Sequence, residues 1–214
     1  DIFMKIFEEP ETVQELMDFT TATAKMMAEN YMEAGCDVIA MVDPMTSQID
    51  PQVFEQFVSP FATEIFNLIR ANSTLSSFFV CGNAKQNIEV MCKCKPDNIS
   101  IDENIPLDYV KEKALSYNIS FGGNMKLTTV LLLGSEEDAK REALECMDTG
   151  GKKGFILSPG CDLAMETPVE NLKAVTEIVY DEWMQGELRA SAATVHEMEK
   201  LDLTNHWKTD KVVD

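Results

Sequence analysis

Residues 154–162 read Gly-Phe-Ile-Leu-Ser-Pro-Gly-Cys-Asp, a short apolar run followed by a turn that ends on a cysteine. An apolar run of this length, bounded by glycine and proline, is typical of a strand that is buried on both faces. A short apolar run followed by a polar or glycine-containing turn occurs four more times upstream. We therefore predict five strands, over residues 37–42, 77–81, 98–101, 118–121 and 155–157.

Amphipathic segments alternate with these strands, because apolar residues recur at roughly helical spacing between them. Helix alternating with buried strand is typical of parallel βα units, arranged as a barrel of eight strands or as a doubly wound sheet. Five strands would make an incomplete barrel, so both arrangements remain open at this point. The predicted helices cover residues 12–34, 51–71, 84–92, 107–115, 135–148 and 168–183, with Ser135 as an N-cap.

The chain is strongly acidic, with 37 acidic against 18 basic residues and a formal charge of −19. This charge disfavours binding to nucleic acid or to an anionic membrane. Residues 1–10 lack the pattern of a signal peptide, and no apolar run approaches the roughly 20 residues that span a bilayer. The six cysteines are therefore expected to be free thiols or metal ligands in a cytoplasmic protein.

Polar or reactive side chains follow each predicted strand. The carboxyl ends of parallel strands meet at one face, where α/β proteins place their functional groups, so we expect these side chains to lie near one another. They are Asp43, Cys81, Asn83, Asp102, Glu103, Asn124 and Cys161.

Cys81 and Cys161 are the main candidates among them. Two thiolates and a carboxylate, for which Glu103 is the candidate, would suit zinc with one position open for substrate. The alternative is that both cysteines are small, buried and inert. The remaining chemistry-bearing side chains are assigned structural or surface roles: Cys92 and Cys94 at a helix end, and His196 and His206 in the polar carboxyl-terminal region.

Residues 154–162, followed by Thr-Pro-Val-Glu-Asn-Leu at 167–172, resemble the carboxyl-terminal signature of zinc-dependent methyltransferases in the uroporphyrinogen decarboxylase superfamily. Cys-Gly-Asn at 81–83 resembles the middle of the H-x-C-G-N segment of the same family. Residues 99–103 and 122–124 resemble two further family stretches. The resemblance extends from about residue 30 to about residue 180, and places the chain nearest the methylcobamide:coenzyme M methyltransferases.

The resemblance implies a (β/α)8 TIM barrel, of which residues 1–183 would be an incomplete carboxyl-terminal portion and residues 184–214 a polar tail. It implies zinc held by Cys81, Cys161 and, in some members, an acid that corresponds to Glu103. It also implies methyl transfer between a methylcorrinoid on a partner protein and a thiol or folate acceptor. Asp43, Asn83 and Asn124 would then line the pocket that receives the reacting groups.

One family ligand is missing, because Phe79 occupies the position of the histidine two residues before Cys81. Two alternatives therefore stand beside the methyltransferase: a uroporphyrinogen decarboxylase, and a non-catalytic paralogue that binds a corrinoid protein. The decarboxylase branch carries a Gly-His pair near the position of Cys161 and an arginine-rich substrate motif, and this chain has neither. Since an incomplete barrel exposes strand edges and apolar surface, self-association is also expected.

Overall fold

The structure is a computed structural model that describes residues 2–193. Its five strands form one parallel sheet in which each strand pairs with the next along the chain. The strands are β1 (Val38–Val42), β2 (Leu75–Val80), β3 (Asn98–Ile101), β4 (Ser120–Met125) and β5 (Phe155–Pro159). A doubly wound sheet reverses its strand order at a switch point, whereas a barrel wall keeps it sequential. The incomplete barrel is therefore confirmed.

Helices connect the strands and cover one face of the sheet. They are α1 (Ile2–Glu8), α2 (Pro10–Glu33), α3 (Pro51–Phe57), α4 (Ser59–Ala71), α5 (Ile88–Lys93), α6 (Leu107–Ser116), α7 (Glu136–Gly150) and α8 (Val169–Tyr180). The predicted cap of α7 is present: Ser135 Oγ accepts from the Asp138 N–H at 3.2 Å, and Asp138 Oδ2 accepts from the Ser135 N–H at 2.9 Å. None of the helices in residues 2–193 is long and apolar enough to cross a membrane.

Most predicted elements shift by one to three residues at their ends in the structure, and two of the others differ more than this. The predicted helix at 51–71 is two helices that meet at Val58, because Pro60 lies in the first turn of α4 and has no N–H for a continuous helix. The predicted strand at 118–121 starts later and runs on to Met125, since Asn118 has a φ of +58° and belongs to the preceding turn. Gly122 and Gly123, interpreted as a turn, instead pair with β5.

The two faces of the sheet differ in burial. Phe78 of β2 is fully buried on the helical face, with its ring 6.2 Å from Phe54 and 5.3 Å from Phe66. Apolar side chains on the other face, which we call the open face, are about half exposed: Val38, Val42, Leu75 and Ile156. Parallel sheets in complete proteins are covered on both faces. The open face is therefore the inner wall of a barrel that the described residues leave unclosed.

Residues 182–193 are helical and cross the predicted boundary at 183/184. This helix packs on the barrel wall, where Arg189 Nη2 donates to Asp148 Oδ1 of α7 at 2.6 Å and Gln185 Nε2 donates to the Ile178 carbonyl at 2.8 Å. The rest of the predicted tail, with His196 and His206, lies outside the described residues. The division into barrel and tail stays a prediction.

Candidate functional site at the carboxyl ends of the strands

Cys81 and Cys161 meet at the carboxyl ends of β2 and β5. Their Sγ atoms lie 3.1 Å apart although 80 positions separate them in sequence. Both side chains are partly exposed, and both are free thiols. The spatial pairing expected from their positions after two parallel strands is therefore present.

A glycine and a buried carboxylate fix the turn that carries Cys81. Gly82 has a φ of +78°, and a Cβ at this position would lie 2.9 Å from Ser47 Oγ in the loop after β1. Its N–H donates to Asp102 Oδ2 at 2.5 Å. A larger residue at position 82 would be strained by its backbone and would push into the neighbouring loop.

Asp102 is the group that joins the loops after β2 and β3. Its side chain is only 6% exposed. Besides the Gly82 N–H, it accepts hydrogen bonds from the backbone N–H and side-chain amide of Asn104, both at 2.9 Å. Sequence reasoning placed Asp102 among the candidates but favoured its neighbour Glu103. The informative signal was position, because Asp102 directly follows the last residue of β3.

Gly160 brings Glu103 close to the second cysteine. A Cβ at Gly160 would lie 2.5 Å from Glu103 Oε2 and 3.0 Å from its backbone nitrogen. The Gly160 N–H donates to the Met125 carbonyl at 3.0 Å. The loop that ends at Cys161 is thus held against the loops after β3 and β4, and the Glu103 carboxylate lies beside the residue that precedes Cys161.

The site disfavours a free thiolate. The pKa of Cys81 is raised to about 12, first by burial, then by its contact with Cys161, and then by the negative field of Asp102 and Asp162. Cys81 is consequently a neutral thiol at neutral pH in the metal-free chain. A cation would reverse this, because metal binding deprotonates a ligating thiol.

The donors present fit zinc in part. Two thiols are appropriate ligands, and they would move apart only slightly, since zinc–sulfur bonds of about 2.3 Å at a tetrahedral angle separate two sulfurs by about 3.8 Å. Among residues 2–193, however, no three histidine, cysteine or acidic side chains are grouped closely enough to hold a metal. Phe79 is half-buried on the open face, the same face as Cys81. A metal-binding side chain at position 79 would be a third donor beside the thiols, but phenylalanine cannot bind a metal.

The three predicted pocket residues have different surroundings. Asp43 is half-buried after β1, and its Oδ1 accepts from the Met45 N–H at 2.9 Å. Asn83 is exposed and lines an open cleft of about 490 Å³ together with Lys85 and Tyr109.

Asn124, the third of them, connects two loops at the end of β4. Its Nδ2 donates to the carbonyls of Ile105 at 2.9 Å and Asp102 at 3.2 Å, so its amide protons are engaged. The Cys146 thiol lies 3.9 Å from its Oδ1. The role of Asp43, Asn83 and Asn124 in binding the reacting groups remains a prediction.

Comparison with known proteins identifies the family. The model of the family described as uroporphyrinogen decarboxylase (URO-D) matches residues 1–182, so the chain belongs to the uroporphyrinogen decarboxylase family. The chain is 28% identical over 177 residues to the methylcobamide:CoM methyltransferase MtbA of Methanosarcina acetivorans. It is also 28% identical over 176 residues to the uroporphyrinogen decarboxylase of an Anaeromyxobacter species. These equal identities support the family but do not distinguish its methyltransferase branch from its decarboxylase branch.

A solved structure supports the fold independently. A methyltransferase from Methanosarcina mazei superposes with a TM-score of 0.75 at 27% identity, covering 87% of this chain and 53% of that one. The two curated relatives are covered over 51% and 49% of their own length, against 82% of this chain in both cases. The chain thus spans about half the length of the relatives it matches, consistent with the five strands of an incomplete barrel.

Proposed function

We propose that this chain is the carboxyl-terminal part of a methyltransferase of the uroporphyrinogen decarboxylase family. It moves a methyl group between a corrinoid protein, which carries the methylcorrinoid donor, and a thiol or folate acceptor in the cytosol. The observation that carries the proposal is the Cys81–Cys161 thiol pair, 3.1 Å apart at the carboxyl ends of two strands. The resemblance of residues 154–162 to the methyltransferase signature, with its distal cysteine, also supports it.

In this proposal Cys81 and Cys161 are two zinc ligands, and Glu103 is the third. The proximity of the Glu103 carboxylate to Gly160, one residue before Cys161, supports this assignment. Zinc binding would have to draw that carboxylate toward the two thiols, because no three such side chains in residues 2–193 are grouped closely enough to hold a metal. Bound there, zinc would supply the Lewis acidity that lowers the pKa of a coordinated thiol and favours a nucleophile at neutral pH.

The protein groups have separate tasks around the thiol pair. Asp102 holds the Cys81–Gly82 turn, and Gly160 lets the loop of Cys161 approach it. The open face below the two cysteines receives the acceptor, while Asp43, Asn83 and Asn124 form the polar surroundings of the pocket. The corrinoid protein approaches the carboxyl-end face, since only there can its methyl group reach the thiol site.

A decarboxylase is the second candidate, because a uroporphyrinogen decarboxylase matches the chain with the same identity as the methyltransferase. A decarboxylase would have to bind a substrate with several carboxylates. The chain has a formal charge of −19. Asp102 and Asp162 act electrostatically on Cys81, and the Glu103 carboxylate lies against Gly160. This distribution would repel such a substrate. The thiol pair has no evident task in decarboxylation.

Methyl transfer from methylcobalamin tests the proposal. The reduced, zinc-supplied chain is incubated with methylcobalamin and either 2-mercaptoethanesulfonate or tetrahydrofolate, and the methylated product is measured by mass spectrometry. We expect one acceptor to be methylated faster than with Cys161→Ser, while Cys36→Ser matches the unmodified chain, since Cys36 is exposed and outside the site. Equal rates with and without Cys161, or carbon dioxide release from uroporphyrinogen instead, would contradict it.

A further inference from the structure

We propose that Cys81 and Cys161 form a reversible intramolecular disulfide when the metal-free chain meets a peroxide. Their Sγ atoms are 3.1 Å apart, and a disulfide bond is about 2.05 Å long, so the two sulfurs need to approach by about 1 Å. Both cysteines lie in loops just beyond the last paired residues of β2 and β5. A small movement of either loop closes the bond without breaking the sheet.

The geometry selects this pair from the six cysteines. Cys92, Cys94 and Cys146 are buried, with exposures of 0%, 1% and 6%. Cys92 and Cys94 are two positions apart at the end of α5, where side chains do not face each other, and Cys94 Sγ contacts Ser59 Oγ at 3.1 Å. Cys36 is exposed, and no contact joins it to another cysteine in the described structure. Of the six cysteines, only Cys81 and Cys161 are both close to another thiol and partly exposed to a peroxide in solvent.

The reaction is balanced with hydrogen peroxide as oxidant. One thiol first gives its proton to a hydroxide ion from solvent, which forms the first water. The thiolate then attacks a peroxide oxygen, the O–O bond breaks, and a sulfenic acid and a hydroxide ion form. The second thiol then attacks the sulfenic sulfur, so that the S–S bond forms and water leaves. Overall, two thiols and one hydrogen peroxide give one disulfide and two waters, with two electrons passing from sulfur to oxygen.

The disulfide would compete with metal binding, because cysteine binds zinc as a thiolate and neither sulfur of a disulfide is one. Oxidation would therefore switch the site between a metal-binding form and a metal-free form. This competition rests on the proposed function, whereas formation of the disulfide does not. The two parts consequently need separate measurements.

Peptide mapping under non-reducing conditions tests the disulfide. The chain is reduced, freed of metal with a chelator, treated with hydrogen peroxide, alkylated and digested with trypsin. Cleavage after lysine and arginine leaves Cys81 in residues 71–85 and Cys161 in residues 154–173, each without another cysteine. We expect these two peptides to be recovered linked, the free thiol count to fall from six to four, and a dithiol reductant to restore it.

Other product patterns would overturn the proposal. Recovery of the two peptides unlinked, as alkylated or over-oxidised cysteine, would show that the thiols do not join. A Cys36→Ser variant is the matched control, and its count should fall from five to three with the same linked peptides. If the linked species requires Cys36, the bond is a product of exchange through that exposed thiol and the proposed pair is wrong.

A zinc-loaded sample tests the competition separately. At free zinc of about ten times the dissociation constant, the free thiol pair falls about tenfold, and so does the rate of disulfide formation. An unchanged rate while zinc remains bound would show that the metal lies elsewhere. If no zinc binds and the linked peptides still form, the zinc site fails while the disulfide stands.

Discussion

The Sγ atoms of Cys81 and Cys161 lie 3.1 Å apart across the carboxyl ends of β2 and β5, with β3 and β4 between them in the sheet. A parallel wall with two intervening strands places these ends too far apart for small side chains unless the wall curves. The curvature of a barrel brings them together above the open face. The two thiols are therefore in contact because the sheet is curved as in a barrel.

Restoring the missing histidine should strengthen zinc binding. Phe79 is two residues before Cys81 on the open face, about 7 Å along the strand, so Phe79→His would add an imidazole beside the thiol pair. We expect the zinc affinity, measured by competition with a chromophoric chelator, to rise at least about tenfold. Ser77→His is the matched control, since it faces the same side but lies about 13 Å from Cys81 along the chain.

If Ser77→His raises the zinc affinity equally, or if Phe79→His leaves it unchanged, the side chain at position 79 does not lie beside a metal site at the two thiols. A rise only with Phe79→His would mean that the geometry around Cys81 is kept while one ligand has been replaced.

Removing the buried carboxylate that holds the Cys81 turn should destabilise the chain. Asp102→Ala leaves the Gly82 N–H and the groups of Asn104 without their acceptor. A lost hydrogen bond at a buried group costs about 1–3 kcal/mol in the free energy of unfolding, measured by urea denaturation. Glu166→Ala removes an exposed acid of the same charge and should change it by less than about 0.5 kcal/mol.

If Asp102→Ala and Glu166→Ala have the same stability, Asp102 does not hold the turn in solution. If Asp102→Ala is destabilised but reacts with peroxide as the unmodified chain does, the turn keeps Cys81 in place by other contacts, among them the close approach of Gly82 to Ser47.

Buried thiols should make the chain less stable as the pH rises above about 9. Burial is the main cause that raises the pKa of Cys92 to about 12 and of Cys146 to about 11. The folded chain therefore keeps these protons after the unfolded chain has lost them, so folding binds protons and stability falls with rising pH. An unfolded cysteine has a pKa of about 8.5. Between that pKa and the raised pKa of the folded chain, each such thiol lowers the free energy of unfolding by up to about 1.4 kcal/mol per pH unit.

A Cys146→Ala variant isolates this effect. It loses packing at every pH, but above about pH 9 its stability should fall less steeply than that of the unmodified chain. The difference between the two unfolding free energies, measured in urea from about pH 8 to pH 10, should narrow by about 1 kcal/mol. Parallel curves would mean that Cys146 titrates in the folded chain as it does in the unfolded one.

Much of the wall could be predicted from sequence, because short apolar runs bounded by glycine or proline have few other uses in an α/β chain. Residues 98–101 and the capped helix after Ser135 were predicted nearly as observed. Gly122 and Gly123 were misinterpreted, since glycine favours turns locally, and only the neighbouring β5 shows why they lie in a strand. A Cβ at Gly122 would come within 3.0 Å of the Ile156 carbonyl oxygen.

The sequence predicted where the site residues lie better than it predicted the contacts that they make. Strand ends located Cys81, Cys161 and Asp102 near one face, which needs only the topology of a parallel sheet. The engagement of Asn124 with two backbone carbonyls was not foreseeable, because it depends on how the loop at Asp102 to Ile105 folds over β4. Branch choice within the family also depends on such contacts, and equal identities to both branches show why sequence similarity does not decide it.

Zinc content tests the central claim most directly. The chain is purified under reducing conditions with zinc supplied, freed of loosely bound metal by gel filtration, and analysed by mass spectrometry for zinc per chain, alongside Cys81→Ser, Cys161→Ser and Cys36→Ser. The account predicts about one zinc in the unmodified chain and in Cys36→Ser, and loss of zinc in the other two. Less than about 0.1 zinc per unmodified chain, or zinc content unchanged in both Cys81→Ser and Cys161→Ser, would contradict it.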